Sequence, residues 1–258
     1  MQNQNVDIQI EASARCNYAC TFCPREEIIR DNYYLSIEFA KQIDKWLPLN
    51  KEICICGMGE PLLNKKLPEI ANIFENRKVS IVTNASLLTN ELFSLLNKRK
   101  AVFFLISIQS INKSNYNTLT KNGDIDNIID LIKNIIPLLN NRDQLRISYI
   151  IDNNQINDEK EIEAFCTDLN IELFKRNKHN RGGRLYNCVS SFKENCQIAQ
   201  DIFINTDGNI LLCCHDLKAE HIIGNIFSNT YEEILHKKSR QKVFDYSICL
   251  ECDDYYCI

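Results

Sequence analysis

The sequence predicts an α/β protein: a parallel sheet threaded by amphipathic helices over residues 1–185, then a small cysteine-rich part over 186–258. Three observations carry this expectation. Short apolar runs alternate with helical periods about six times. That alternation stops near residue 185. Cysteine accounts for 13 of the 258 residues and crowds where the alternation stops, with seven of the 13 lying from Cys188 onward. Strands alternating with helices imply a parallel sheet, whose functional groups collect at the C-terminal ends of the strands.

The elements follow in order. Strands are expected at 6–13, 52–57, 78–84, 101–109, 145–152 and 171–175, where apolar and β-branched residues run or alternate between turn signals. Helices fit 36–47, 66–76, 90–98, 124–140 and 159–169, where apolar residues recur with helical period. The stretch between the first strand and the first helix is long and cysteine-bearing. Beyond it all, 202–206 and 209–213 read as a hairpin around Asp207-Gly208, and 231–242 as a helix. No low-complexity linker separates the two parts, so they are expected to pack together.

Composition narrows the function. Hydrophobic residues at 45% and charged residues at 25% are those of a folded soluble chain, which excludes wholesale disorder or a fibrous repeat. Lys and Arg total 30 against 34 Asp and Glu, a net charge of −4. The basic excess of a dedicated nucleic-acid binder is missing, so no nucleic-acid partner is expected. The start lacks a signal-peptide pattern and no apolar run reaches the roughly 18 residues of a membrane span, so a cytoplasmic protein without a membrane partner is expected. Cytosolic thiols stay reduced, and so many of them point to metal. Glycine occurs only seven times, and Gly57, Gly59, Gly182, Gly183, Gly208 and Gly224 lie in candidate motifs, leaving Gly123 in an ordinary turn.

Directly after the first strand comes Cys16-Asn17-Tyr18-Ala19-Cys20-Thr21-Phe22-Cys23-Pro24. Three thiolates this close can hold three irons of a [4Fe–4S] cluster and leave the fourth iron open to another molecule. Three cysteines on one helix face, or a zinc site completed by a remote ligand, are the alternatives.

The array resembles the CxxxCxΦC signature of the radical S-adenosylmethionine (SAM) superfamily, with Phe22 as the aromatic Φ. The resemblance implies a partial (β/α)6 TIM-like barrel, with Cys16, Cys20 and Cys23 holding the cluster, SAM chelating the open iron, and Phe22 near adenine. Gly57-Met58-Gly59-Glu60-Pro61 resembles the superfamily's GGE motif, which binds the methionine amino group; Met58 replaces the middle residue. Thr83-Asn84-Ala85 resembles its TNG, with Ala85 in place of glycine. Ser107 and Gln109 fit polar SAM contacts or plain strand-end polarity.

Cys196, Gly208, Cys213 and the later Cys249-Leu250-Glu251-Cys252 form a second constellation. Four thiolates saturate either a [4Fe–4S] cluster or a zinc ion, and spacing does not choose between them. The Cx(9–15)Gx4C pattern resembles the opening of the SPASM domain of radical SAM enzymes, with Asn225 after Gly224 in keeping. The late cysteines fall short of a second auxiliary set, which matches the abbreviated twitch form with one auxiliary [4Fe–4S] cluster. Cys196, Cys213, Cys249 and Cys252 are the preferred ligands, with Cys188, Cys214 and Cys257 as substitutes. Cys54, Cys56 and Cys166 read as buried structural thiols, and His179, His215, His221 and His236 as surface or supporting residues.

The resemblance implies reductive cleavage of SAM to a 5′-deoxyadenosyl radical, which takes a hydrogen atom from substrate. It also implies an electron donor such as flavodoxin or ferredoxin. An auxiliary cluster allows net oxidation, whereas a thiol donor among Cys188, Cys214 and Cys257 would give epimerisation instead. Only about fifteen residues precede the first cysteine, which favours a small-molecule substrate or a peptide recognised without its leader. The layout resembles the twitch-domain dehydrogenases of aminocyclitol alcohols, including Asn180-Arg181-Gly182-Gly183 between the two parts. That resemblance makes Arg181 the candidate to orient or deprotonate the reacting hydroxyl; a solvated bend is the alternative. The expected activity is therefore dehydrogenation of a sugar or aminocyclitol alcohol. A peptide or sugar epimerase, and a noncatalytic iron–sulfur or zinc module binding a partner, are the other readings.

Overall fold

The computed structural model describes residues 8–98, 101–152, 156–186, 196–242 and 245–254. Six strands, β1 (Ile8–Ile10), β2 (Ile53–Ile55), β3 (Val79–Thr83), β4 (Val102–Ser107), β5 (Leu145–Ile151) and β6 (Glu172–Asn177), lie side by side in chain order, every pair parallel. Helices α1 (Ile37–Trp46), α2 (Leu67–Ile73), α3 (Asn90–Asn97), α4 (Lys113–Thr120), α5 (Ile125–Ile135) and α6 (Ile156–Leu169) make the crossovers. This is the partial (β/α)6 barrel expected.

Strand periodicity sorts the side chains. In β4, Val102, Phe104 and Ile106 are buried in the core, while Leu105 and Ser107 face a central cavity. In β2, Ile53 and Ile55 enter the core and Cys54 faces the cavity. The two-residue repeat thus assigns one face to stability and the other to a site. Helix starts are fixed locally: the Ser36 hydroxyl accepts from the Phe39 amide, and Thr89 does the same for Leu92.

The second part joins the same sheet. Strand β7 (Ile202–Ile204) runs parallel to β1, pairing Ile8 with Ile202, and β8 (Asn209–Leu211) and β9 (Ile222–Asn225) continue antiparallel. The nine strands therefore run β6-β5-β4-β3-β2-β1-β7-β8-β9. The hairpin turns at Asp207-Gly208, where Gly208 takes φ +77°. Short helices α7 (Gln197–Gln200), α8 (Tyr231–Ser239) and α9 (Ser247–Leu250) pack around it.

The departures from the expected elements have local causes. Helix α4 escaped because its sequence, Lys-Ser-Asn-Tyr-Asn-Thr-Leu-Thr, carries almost no apolar period; its one signal is Asn112, which caps Asn115. Helix α5 ends at Ile135 rather than near 140 because Pro137 lacks an amide hydrogen and continues only as a 3-10 turn over Ile136–Leu138. No helix among the described residues is long and apolar enough to cross a membrane.

At the C-terminal end of β1, Glu11 is buried against Arg30, Nε to Oε2 2.7 Å, with both side chains 1% exposed. Arg30 also donates to the Leu217 carbonyl at 2.6 Å, so one guanidinium ties β1, the loop before α1 and the segment after β8. Burial pushes the Glu11 carboxyl upward, and Arg30 opposes that shift. Arg30→Met leaves the carboxyl without its partner; urea unfolding of the apo-protein is expected to show a loss of about 3–5 kcal/mol.

Candidate functional site: a cysteine-lined cavity at the barrel mouth

Leaving β1, the chain turns at Ser13, whose hydroxyl donates to the Arg15 carbonyl at 2.9 Å and accepts from the Arg15 amide at 3.1 Å. Residues 14–24 then form an irregular loop, so Cys16, Cys20 and Cys23 do not lie along one helix face. The end of α4 fixes this loop: the amides of Ala19 and Thr21 donate to Thr120 and Leu119 carbonyls at 3.1 and 2.9 Å. All three thiols line a cavity of ≈ 340 Å³. Burial pushes Cys20 up to about 12, and the thiols of Cys23 and Cys16 add to the shift; Cys16 and Cys23 are raised as well, chiefly by burial. Crowded neutral thiols that resist ionisation alone are a donor set for a cation that draws the protons off.

The Gly57–Glu60 loop closes over this array. A Cβ at Gly59 would lie 1.8 Å from the Ser13 carbonyl oxygen, so no side chain fits there, and the Glu60 amide donates to Arg15 carbonyl at 2.7 Å. Met58 Sδ lies 3.8 Å from Cys23 Sγ. Glu60 is buried, and its carboxylate accepts from Thr83 Oγ1 at 2.6 Å, Leu62 amide at 3.0 Å and Asn84 amide at 2.8 Å. The acid thus joins the end of β2 to the end of β3, and burial raises its carboxyl. Ala85 adopts φ +60° without glycine, so the turn expected of the motif forms at some cost in strain. Asn84 Nδ2 points to Cys16 Sγ, 3.9 Å away. Ser107 and Gln109 line the cavity with Phe22, and Gln109 Oε1 accepts from the Ile150 amide at 2.9 Å.

The second set assembles beside this cavity. Cys196 precedes α7, Cys213 follows β8, and Cys249 and Cys252 flank the end of α9. Cys196 and Cys249 pack with Leu212 and Ile248. Burial pushes Cys249 up to about 12, with Cys196 and Cys252 contributing, and raises Cys213, where Cys249 also acts. The four are therefore neighbours. Among the described residues the group of three metal-ligating side chains within 4.8 Å of one another is His179, His215 and Asp254, which contains no thiol.

Several residues sit elsewhere than expected. Cys54, Cys56 and Cys214 are half-buried and line the cavity; Cys166 is buried as expected. Cys188 and Cys257 lie outside the described residues. His215, 3% exposed, meets Asp254 at 2.9 Å, and the half-buried His179 lies 3.7 Å from the same carboxylate, both within the expectation of surface or supporting residues. His236 is exposed.

Arg181 is not on a solvated bend. It takes φ +55° and is followed by Gly182 and Gly183 at +67° and +79°. A Cβ on Gly182 would lie 2.6 Å from Ile248 Cγ1, so the turn lies flat on α9. Asn180, fully buried, fastens it: Nδ2 donates to the Glu251 carbonyl at 2.6 Å, while Oδ1 accepts from Gly183 and Asp253 amides at 3.1 and 3.2 Å. The Arg181 side chain reaches the cavity.

Residues 10–163 match the radical SAM superfamily profile, and residues 196–254 match SPASM, an iron–sulfur cluster-binding domain. The chain belongs to the radical SAM superfamily. It is a radical SAM enzyme whose cofactors are SAM and [4Fe–4S] clusters. Over 174 residues it is 32% identical to a probable GTP 3′,8-cyclase of Methanocaldococcus jannaschii, covering 64% of this chain and 56% of that protein. The GTP 3′,8-cyclase of Petrotoga mobilis is 27% identical over 49% of this chain and 41% of its own length. The chain thus spans about half the length of these cyclases. In fold it is similar to BtrN in complex with AdoMet and 2-DOIA, at TM-score 0.68 and 18% identity, covering 98% of this chain and 95% of that one. It is similar as well to Streptococcus suis SuiB bound to precursor peptide SuiA, at TM-score 0.71 and 17% identity, covering 98% and 70%.

The clamp is testable alone. Asn180→Ala removes three buried hydrogen bonds and is expected to lower apo-protein stability by about 2–3 kcal/mol in urea unfolding, with increased protease cleavage in the 180–185 turn.

Proposed function

We propose that the protein is a radical SAM oxidoreductase that dehydrogenates an alcohol carbon of a small sugar-like or aminocyclitol molecule. One observation carries the reading: the turn that projects Arg181 into the cavity lined by Cys16, Cys20 and Cys23 is the turn packed on the Cys249–Cys252 segment. Substrate side and electron exit thereby share one rigid support. When bound, the first cluster with SAM supplies a 5′-deoxyadenosyl radical to take hydrogen from carbon, and the auxiliary cluster supplies a sink for the remaining electron. The balance is one hydrogen atom to the adenosyl carbon, one hydroxyl proton to solvent and one electron to the sink.

In this reading Cys16, Cys20 and Cys23 hold the first cluster, and Cys196, Cys213, Cys249 and Cys252 the auxiliary one. Phe22, Asn84, Ser107 and Gln109, with the backbone of Gly57 and Gly59, shape the SAM side, and Glu60 positions that loop. Arg181 donates hydrogen bonds to the substrate oxygen and stabilises negative charge as the proton leaves. The partners are a small-molecule substrate and a reductant of flavodoxin or ferredoxin type. The division at residues 185 and 186 separates the cluster-bearing barrel from the auxiliary unit by role, although the sheet is continuous.

Two observations favour other reactions of the same radical. The stretch 32% identical to a probable GTP 3′,8-cyclase favours a cyclisation on a nucleotide. Cys214, facing the cavity, favours hydrogen return and hence epimerisation.

Anaerobic iron and sulfide counts with dithionite-driven SAM cleavage test the assignment. Wild type is expected to hold about eight irons and Cys16→Ala/Cys20→Ala/Cys23→Ala about four, with 5′-deoxyadenosine from wild type only. Four irons in wild type would remove the electron sink and overturn the dehydrogenase reading. A second check uses Lys238, buried on α8, whose Nζ donates to Ala199, Leu211 and Leu212 carbonyls at 3.2, 2.9 and 2.7 Å. Burial pushes its ammonium down to about 8, against the upward pull of Cys213. Lys238→Met removes a buried positive charge near Cys213 and is therefore expected to lower the auxiliary cluster's reduction potential in an EPR-monitored titration.

A further inference from the structure

Elsewhere in the molecule buried arginines have carboxylate partners. Arg30 has Glu11, and Arg77 has Asp44. Among the described residues Arg176 of β6 and Arg181 have none. Both line the ≈ 340 Å³ cavity, and Arg176 Nε is buried with no hydrogen-bond partner among those residues. The carboxylate that lines this cavity among the described residues, Glu60, already accepts from Thr83, Leu62 and Asn84. Desolvation lowers the Arg176 guanidinium below its ordinary value, and the charge of Arg181 lowers it further. Two like charges are thus held together with one buried donor unsatisfied, an arrangement that is costly unless an anion completes it.

Cys54, Cys56 and Cys214 line the cavity around Arg176, and sulfur is a weak hydrogen-bond acceptor that does not match the planar fork of a guanidinium.

We propose that Arg176, with Arg181 beside it, is an oxyanion subsite, and that the substrate is a small alcohol bearing a phosphate or carboxylate group. A planar guanidinium fork grips either group through two parallel hydrogen bonds. The inference rests on the proposed function and narrows it: an aminocyclitol ammonium would bring a third positive charge into the cavity, whereas an anionic sugar-like alcohol neutralises the two already present.

Anaerobic equilibrium dialysis of SAM-loaded holoenzyme with radiolabelled inorganic phosphate tests this. Saturable binding of one phosphate per chain is expected, at least tenfold weaker in Arg176→Gln and lost in Arg176→Gln/Arg181→Gln. Iron content and SAM binding are retained in Arg176→Gln. Displacement by glucose 6-phosphate assigns the group as phosphate and displacement by glucuronate as carboxylate; glucose and glucosamine displace nothing. No saturable phosphate binding, or binding unchanged in the double variant, overturns the subsite. Loss of SAM binding in Arg176→Gln also overturns it, because the guanidinium would then serve the SAM carboxylate. SAM cleavage by the same preparations separates the two proposals: cleavage without phosphate binding removes the subsite alone, and phosphate binding without cleavage removes the radical reading and leaves the subsite.

Discussion

Strand β1 constrains both cysteine sites, because it is hydrogen-bonded on one edge to β2 and on the other to β7. Its C-terminal exit leads into the Cys16–Cys23 loop, and β7 leads through the hairpin to Cys213. Three residues of strand therefore set the register of two sites far apart in sequence. The pair Glu11–Arg30 secures that exit, and Arg30 reaches the Leu217 carbonyl beyond Cys213. A slip at β1 would move the first loop and the hairpin together, because every side chain on the strand would exchange faces.

Much of the fold was legible because its signals are local. The first five strands of the barrel have apolar cores that are buried, and the Asp207-Gly208 turn marks its own hairpin. What sequence could not show is the partner of β7: nothing in Ile-Phe-Ile says that it lies parallel to Ile8–Ile10 rather than forming a separate appendage. Helix α4 was missed for the opposite reason, since it is held by capping and by contact with the Cys16–Cys23 loop rather than by an apolar stripe.

The site was legible in its cysteines and much less so in its charges. CxxxCxxC announces itself because cysteine at those spacings has few other uses. Cys54 and Cys56 were misplaced because Cys-Ile-Cys reads as apolar strand, although period two sends its isoleucines and its cysteines to opposite faces. That signal was present and could have been used. Arg176 carried no signal, because an arginine ending a strand is ordinarily solvated; only the closing of the sheet around a cavity makes it interior.

Glycine scarcity connects these points. The turn Asn180-Arg181-Gly182-Gly183 needs three successive left-handed residues, of which glycine occupies two without strain. Its tight course lets the turn rest on Ile248 and Glu251, immediately beside Cys249 and Cys252. A larger residue at Gly182 would lift the turn off α9 and withdraw Arg181 from the cavity. The fit of that turn therefore holds one geometric relation, between the Arg181 side chain that reaches the cavity and the Cys249–Cys252 segment. Under the proposed dehydrogenation an electron leaving the substrate would pass to a cluster held by those cysteines, and because such transfer depends steeply on separation, a rigid turn would serve it better than a flexible linker of equal reach.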